Sequence, residues 1–106
     1  MYTILIVDDS PMIVDVFVAM LERGGYKAIT AFSGEECLET LRSAAPDLVL
    51  LDIMMEPMDG WETLEQIKAD PEINKIPVLM LTAKPLTPDE ADRYGPFIED
   101  YILKPT

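Results

Sequence analysis

The chain has 106 residues, which is enough for one domain with a single buried core and too few for two. Its 20 acidic and 8 basic residues give a net charge of -12 at pH 7, and such a field repels nucleic acid phosphates and anionic membrane surfaces. Direct binding to either is therefore not expected. No apolar run approaches the roughly 20 residues that span a bilayer, and the single cysteine, Cys37, excludes an internal disulfide. We expect a cytoplasmic protein.

Short apolar runs and helix-like segments alternate along the chain. Capping residues mark the helix ends, because hydroxyl side chains favour N-caps, proline is tolerated at the first helical position and glycine ends helices. The predicted strands cover residues 3–7, 28–31, 48–51, 78–81 and 101–103. The predicted helices run from Ser10 and Pro11 to Gly24 and Gly25, from a capping box at Ser33 and Glu36 to Ala44, from Gly60 to Ala69, and from Thr87 to Gly95 and Pro96.

Two of the predicted strands, 48–51 and 78–81, are continuously apolar. Such runs are typical of strands that are covered on both faces, as in parallel sheets with helices on each side. The sequence therefore predicts a doubly wound α/β fold with a five-stranded parallel sheet. Ligands of such sheets bind at the carboxyl ends of the strands, so functional side chains are expected at that edge.

Polar residues follow four of the five predicted strands. Asp8 and Asp9 follow the first strand, Asp52 the third, Thr82 the fourth and Lys104 the fifth. Each residue has a structural explanation by itself, because acids and threonine cap helices and turns, and most lysines are solvated. Their coincidence at one edge of the sheet favours a functional site.

The three converging carboxylates would repel one another and raise one another's pKa values unless a cation lay among them. Oxygen ligands without histidine favour Mg²⁺ or Mn²⁺ over zinc or copper. One divalent ion and Lys104 together balance the three negative charges, which leaves a site that can accept an anionic group. Thr82 can donate its hydroxyl to that group.

Four segments carry a resemblance to a known family. They are residues 4–10 (ILIVDDS), 47–60 (DLVLLDIMMEPMDG), 78–83 (VLMLTA) and 100–105 (DYILKP). Together they resemble the CheY-like receiver domains of two-component response regulators, over essentially the whole chain. The resemblance implies one receiver domain over residues 1–106, with the flavodoxin-like strand order 2-1-3-4-5. It also implies a phosphoacceptor switch that promotes its own phosphotransfer and dephosphorylation, rather than an enzyme.

The resemblance assigns the phosphoryl group and the metal ion to particular residues. Asp52 would accept the phosphoryl group in a phosphorelay. Asp52 would also bind Mg²⁺, together with Asp9 and the backbone carbonyl of Met54. Asp8 would bind the ion through water.

The resemblance also implies a switch and a set of partners. Lys104 would pair with the phosphoryl group, ahead of a cis bond at Pro105, and Thr82 and Tyr101 would form the switch pair. The phosphoryl donor would be a sensor histidine kinase or a phosphotransfer protein. The switched surface would bind a downstream output protein or domain, and formation of a homodimer stays open.

Two features depart from the family pattern. Glu56 stands where the family usually has proline, and a fifth helix usually follows the lysine and proline pair but is not found within the 106 residues. Without that helix, one face of the sheet near Ile4, Ile6 and Ile102 is expected to expose apolar area.

Three alternatives remain open at this point. A haloacid-dehalogenase-like phosphatase shares the aspartate nucleophile but needs a second aspartate two residues later, where this chain has Met54. A flavodoxin-like binding module needs a phosphate cradle after the first strand, where this chain has Asp8 and Asp9. A degenerate receiver would act as an interaction module without phosphorylation, although all the expected site residues are present.

Overall fold

The computed structural model of the protein describes residues 1–104 and is built on a parallel β-sheet. Its strands are β1 (Thr3–Val7), β2 (Lys27–Ala31), β3 (Leu48–Asp52), β4 (Val78–Thr82) and β5 (Asp100–Leu103). All neighbouring strands pair in parallel in the order β2-β1-β3-β4-β5. The predicted fold class and strand order are therefore confirmed.

Helices connect the strands and cover both faces of the sheet. Within residues 1–104 they are α1 (Pro11–Arg23), α2 (Gly34–Ala44), α3 (Gly60–Ala69) and α4 (Pro88–Tyr94), followed by a 3-10 turn at Gly95–Phe97. Four α-helices in the described part of the chain agree with the predicted fold without a fifth. The longest of these helices has 13 residues, and none is long and apolar enough to cross a bilayer.

Side-chain caps fix where these helices begin. The Ser33 hydroxyl accepts a hydrogen bond from the Glu36 N–H at 3.1 Å, which is one half of the predicted capping box. The complete reciprocal box lies instead at Thr87 and Glu90, where each side chain accepts from the other residue's N–H. α4 therefore has a well-defined start even though none of its residues is buried.

Two apolar clusters lie on opposite faces of the sheet. Ile4 and Ile6 pack with Val14 and Phe17 of α1, and the next residues along β1 point into the cluster beneath α2 and α3. α1 covers Ile4 and Ile6 themselves, which are 6% and 0% exposed. An open apolar groove lies beside them, with Ile4, Leu79 and Ile102 among its lining residues, in agreement with the exposed apolar area expected on this face. Exposure persists at Ile102 on the edge strand β5, at 37%.

Gly60 brings the start of α3 directly against the end of β3. Its N–H donates to the Ile53 carbonyl at 2.9 Å. A Cβ at this position would overlap the Asp52 carbonyl oxygen and would lie 2.7 Å from the Ile53 Cα. Because backbone atoms cannot rotate away, Gly60→Ala is expected to lower the free energy of unfolding by roughly 1–3 kcal/mol or more.

The change is measured by urea denaturation followed by circular dichroism. Gly95→Ala is the matched control, because a Cβ there would meet nothing within 4 Å and the backbone is already helical. Equal unfolding midpoints for the two variants would contradict the close approach of Gly60 to the backbone of Asp52 and Ile53.

Candidate functional site

The parallel register brings the predicted polar residues to one edge of the sheet. Asp52 ends β3 opposite Leu81, and Thr82 ends β4 opposite Leu103. Asp8 comes directly after β1, and Lys104 directly after β5. The structure thus places all four strand-end positions at the carboxyl edge, as predicted, whereas the predicted cis bond at Pro105 lies outside the described residues.

Lys104 contacts two carboxylates at once. Its Nζ lies 2.8 Å from Asp8 Oδ2 and 2.8 Å from Asp52 Oδ1. The backbone N–H of Lys104 donates to the Thr82 carbonyl at 2.8 Å, which extends the pairing of β4 and β5 to the site. Asp8 is 0% and Asp52 1% exposed, so this lysine supplies charge compensation that water cannot.

A third carboxylate completes an acidic cluster. Oxygen atoms of Asp8, Asp9 and Asp52 lie within 4.8 Å of one another, and Asp9 is the exposed member. Asp52 Oδ1 also accepts the Met54 N–H at 3.2 Å. Asp52 Oδ2 is buried without a hydrogen-bond partner within residues 1–104.

The chemistry of this donor set fits a hard divalent cation. Three carboxylates and Lys104 leave two negative charges, which match one such ion, and all the carboxylate donors are oxygen atoms. The buried Asp52 oxygen that lacks a hydrogen-bond partner within residues 1–104 could serve as a ligand to such an ion. The cluster can therefore bind a metal.

Burial and neighbouring charges together raise the pKa values of both Asp52 and Lys104. Burial raises the pKa of Asp52 to about 6, and the nearby charge of Asp8 adds to the rise, while Lys104 opposes it. Burial also disfavours the charged form of Lys104, but its hydrogen bonds to Asp52 and Asp8 outweigh this effect and raise the lysine pKa above its usual range. A buried carboxylate and a firmly protonated lysine result.

The predicted switch residues lie on one face of the sheet. Met80 and Tyr101 are opposite each other in the register and belong to the same apolar cluster. Thr82, two residues after Met80, shares that face and is 5% exposed. The Thr82 hydroxyl donates to the Lys84 carbonyl at 2.6 Å and accepts from the Lys84 N–H at 3.2 Å.

A cleft of about 430 Å³ adjoins the cluster at Asp9 and Met54. Trp61 and Glu90 form part of its wall, and the Trp61 Nε1 donates to Glu90 Oε2 at 3.2 Å. The Trp61 ring stacks on Tyr94 with centroids 4.1 Å apart and planes 5° from parallel. The sequence indicates Glu90 only as an acidic residue in the first turn of α4, so its place in this cleft was not predicted. The packing of α4 against α3 brings Glu90 to the cleft.

Fold and site together define a CheY-like α/β protein with a buried carboxylate cluster at the carboxyl edge of its sheet. The model of the response regulator receiver domain family matches residues 4–106, and the chain belongs to this family.

Relatives of known name support the assignment. The chain is 36% identical over 105 residues to protein PilH of Pseudomonas aeruginosa, covering 99% of this chain and 87% of PilH. It is 40% identical over 102 residues to the alkaline phosphatase synthesis transcriptional regulatory protein PhoP of Bacillus subtilis, covering 96% of this chain. The chain spans only 42% of PhoP, and 41% of the response regulator GtcR of Aneurinibacillus migulanus.

Solved structures that are similar to this chain agree with the family assignment. The N-terminal domain of a response regulator receiver protein from Methanoculleus marisnigri JR1 is 80% identical with a TM-score of 0.98, over 100% of this chain and 86% of that one. The chemotaxis protein CheY4 of Vibrio cholerae is 28% identical with a TM-score of 0.91, over 100% of this chain and 88% of that one. Receiver domains serve as phosphoacceptor switches in two-component signalling, between histidine kinases or phosphotransfer proteins and output domains.

Proposed function

We propose that the chain, as one receiver domain over residues 1–106, accepts a phosphoryl group on Asp52 in a Mg²⁺-dependent reaction. The observation that carries the proposal is the state of the Asp52 carboxylate. One of its oxygens is bound by Lys104 and the Met54 N–H, and the other is buried without a hydrogen-bond partner in the described part of the chain. Such a carboxylate is anchored in one orientation with one oxygen left for a ligand.

Asp52, Asp9 and the Met54 carbonyl would hold the ion, with Asp8 acting through water. When bound, Mg²⁺ neutralises charge that develops on the phosphoryl oxygens. An Asp52 oxygen forms the new bond to phosphorus, while the bond from phosphorus to the imidazole nitrogen of a donor phosphohistidine breaks. Lys104 stays within reach of the transferred group, because its ammonium already lies against the same carboxylate.

Thr82 and Tyr101 would convert this chemistry into a change of surface. The Thr82 hydroxyl would exchange the Lys84 carbonyl for a phosphoryl oxygen, and Tyr101 would turn into the space that Thr82 leaves. Because Tyr101 lies on β5, the surface formed by α4 and β5 would then change its affinity for an output protein or domain. A cytoplasmic location, where a histidine kinase or phosphotransfer protein can reach the domain, fits this role. We also propose that the same surface can form a homodimer.

The alternatives from other classes fit the site less well. A phosphatase would need a general acid at position 54, where the exposed Met54 side chain has no proton to donate. A flavodoxin-like binding module would hold a phosphate after β1, where Asp8 and Asp9 would repel it. A degenerate receiver differs only in its lack of phosphorylation, so experiment separates it from the proposal.

The test is intact-mass measurement after incubation with Mg²⁺ and either acetyl phosphate or phosphoramidate. We expect the parent to gain one phosphoryl group, Asp52→Asn to gain none, and chelation of Mg²⁺ to abolish the gain. If neither small donor nor a phosphohistidine peptide modifies the folded parent, the protein is an interaction module that works without phosphorylation.

A further inference from the structure

The cleft beside the acidic cluster has walls of one charge sign. Its lining residues are Asp9, Ile53, Met54, Met55, Glu56, Asp59, Trp61 and Glu90. Four of these eight are carboxylates, which we name the acidic mouth (Asp9, Glu56, Asp59 and Glu90), and none carries a positive charge. The remaining four side chains are apolar or aromatic, so the cleft offers negative charge and apolar contact together.

Hydrogen bonds hold two of these carboxylates in position. The Asp59 side chain caps α3 and accepts the Glu62 N–H at 2.9 Å. Glu90 accepts the Thr87 N–H at 2.9 Å, and this bond, with smaller help from Trp61, lowers the pKa of Glu90. Glu56 is exposed on the loop after β3. The negative charges of the acidic mouth therefore come from separate segments that converge on one opening.

Lysines around the site offset only part of this charge. Lys104 is engaged by Asp8 and Asp52 inside the site. Lys84 is exposed and interacts electrostatically with Glu90, but it does not line the cleft. Once a divalent ion and Lys104 balance the acidic cluster, Glu56, Asp59 and Glu90 still place three formal negative charges on the walls of the cleft, and Lys84 offsets part of the charge of Glu90 only.

We propose that the acidic mouth selects the phosphodonor by charge, an inference that rests on the proposed phosphorylation of Asp52. It disfavours compact anionic donors such as acetyl phosphate. It favours a phosphohistidine on a protein surface with lysine or arginine beside it, because those cations pair with Glu56, Asp59 and Glu90 as the phosphoryl group enters. Exposed Met54, at 72%, offers an apolar contact to the same partner surface.

The experiment compares two synthetic phosphohistidine peptides that are identical except for lysine or glutamate flanks, beside acetyl phosphate. Initial rates of phosphorylation are measured by intact mass at low ionic strength, at a Mg²⁺ concentration whose doubling leaves the rate unchanged. The proteins are the parent, Glu56→Gln, and the double variant Glu56→Gln with Glu90→Gln. Glu39→Gln is the control, because Glu39 is exposed on α2 and does not line the cleft.

We expect the parent to react faster with the lysine-flanked peptide, and the double variant to lose about threefold or more of that preference at low salt. Acetyl phosphate should react faster with the double variant than with the parent, by a similar factor, and Glu39→Gln should match the parent. Equal rates for both peptides in the parent, or a preference that survives in the double variant, would overturn the inference while leaving phosphorylation of Asp52 intact. Absence of transfer from every donor would instead overturn the proposed function and the inference with it.

Discussion

Replacing Asp52 with asparagine is expected to raise the free energy of unfolding of the metal-free protein by roughly 2–3 kcal/mol at pH 8. The cause is the buried position of Asp52, whose pKa lies at about 6 in the folded protein against an ordinary value of 3.8. Asparagine has the same shape but carries no charge to desolvate and does not repel Asp8. Function and stability therefore oppose each other at this residue.

The pH dependence follows from the direction of the shift. Below about pH 4 the Asp52 carboxyl is protonated in both the folded and the unfolded protein, so its ionisation does not lower the free energy of unfolding. Between about pH 4 and pH 6 the folded protein keeps a proton that the unfolded chain has lost, so the parent loses stability as pH rises through this window. Above about pH 6 the ionised Asp52 destabilises the folded parent by the full amount. Asp52→Asn should lack this pH-dependent loss of stability.

Urea denaturation in the presence of a chelator, at intervals from pH 4 to pH 8, measures both effects. Asp15→Asn is the control, because Asp15 is exposed on α1. This substitution removes the same charge from the protein without changing a buried group. Mg²⁺ should narrow the gap between parent and Asp52→Asn, since it binds the folded parent and stabilises it by mass action. If Asp52→Asn were no more stable than Asp15→Asn at pH 8, the buried charge of Asp52 would not destabilise the fold.

Lys104→Met is expected to lower the free energy of unfolding by roughly 3–5 kcal/mol at pH 8 without metal. The lysine ammonium lies 2.8 Å from both Asp8 and Asp52, so its removal leaves two buried negative charges side by side. Methionine keeps most of the length and apolar area of the side chain, which limits the change to charge and hydrogen bonding. Urea denaturation at pH 8 measures the loss.

Lys75→Met, at an exposed position, controls for the loss of one positive charge from an acidic protein. Asp52→Asn should stabilise the Lys104→Met variant by at least about 1 kcal/mol more than it stabilises the parent, because without the lysine the removed charge has no favourable partner and only repels Asp8. If Lys104→Met were as stable as Lys75→Met, the ion pair would contribute nothing to the fold. Strictly additive effects of the two site substitutions would show that the residues are not coupled.

The sequence by itself determined the fold class and the members of the strand-end cluster. Alternating apolar runs and helix caps predicted five strands and four helices, and parallel strands must bring their carboxyl ends to one edge. Residue order alone therefore groups Asp8, Asp52, Thr82 and Lys104 at one edge of the sheet. These predictions succeed because they depend on local propensity and on topology, which are both written in residue order.

Only the tertiary structure decided which of these groups touch and what surrounds them. The contacts of Lys104 with two carboxylates and the place of Glu90 in the cleft each depend on atoms from distant segments. The burial of Ile4 and Ile6 beside an open apolar groove likewise depends on how α1 lies across the sheet. Residue order does not specify side-chain rotamers or the packing of one helix on another, because both are fixed by the sum of many long-range contacts.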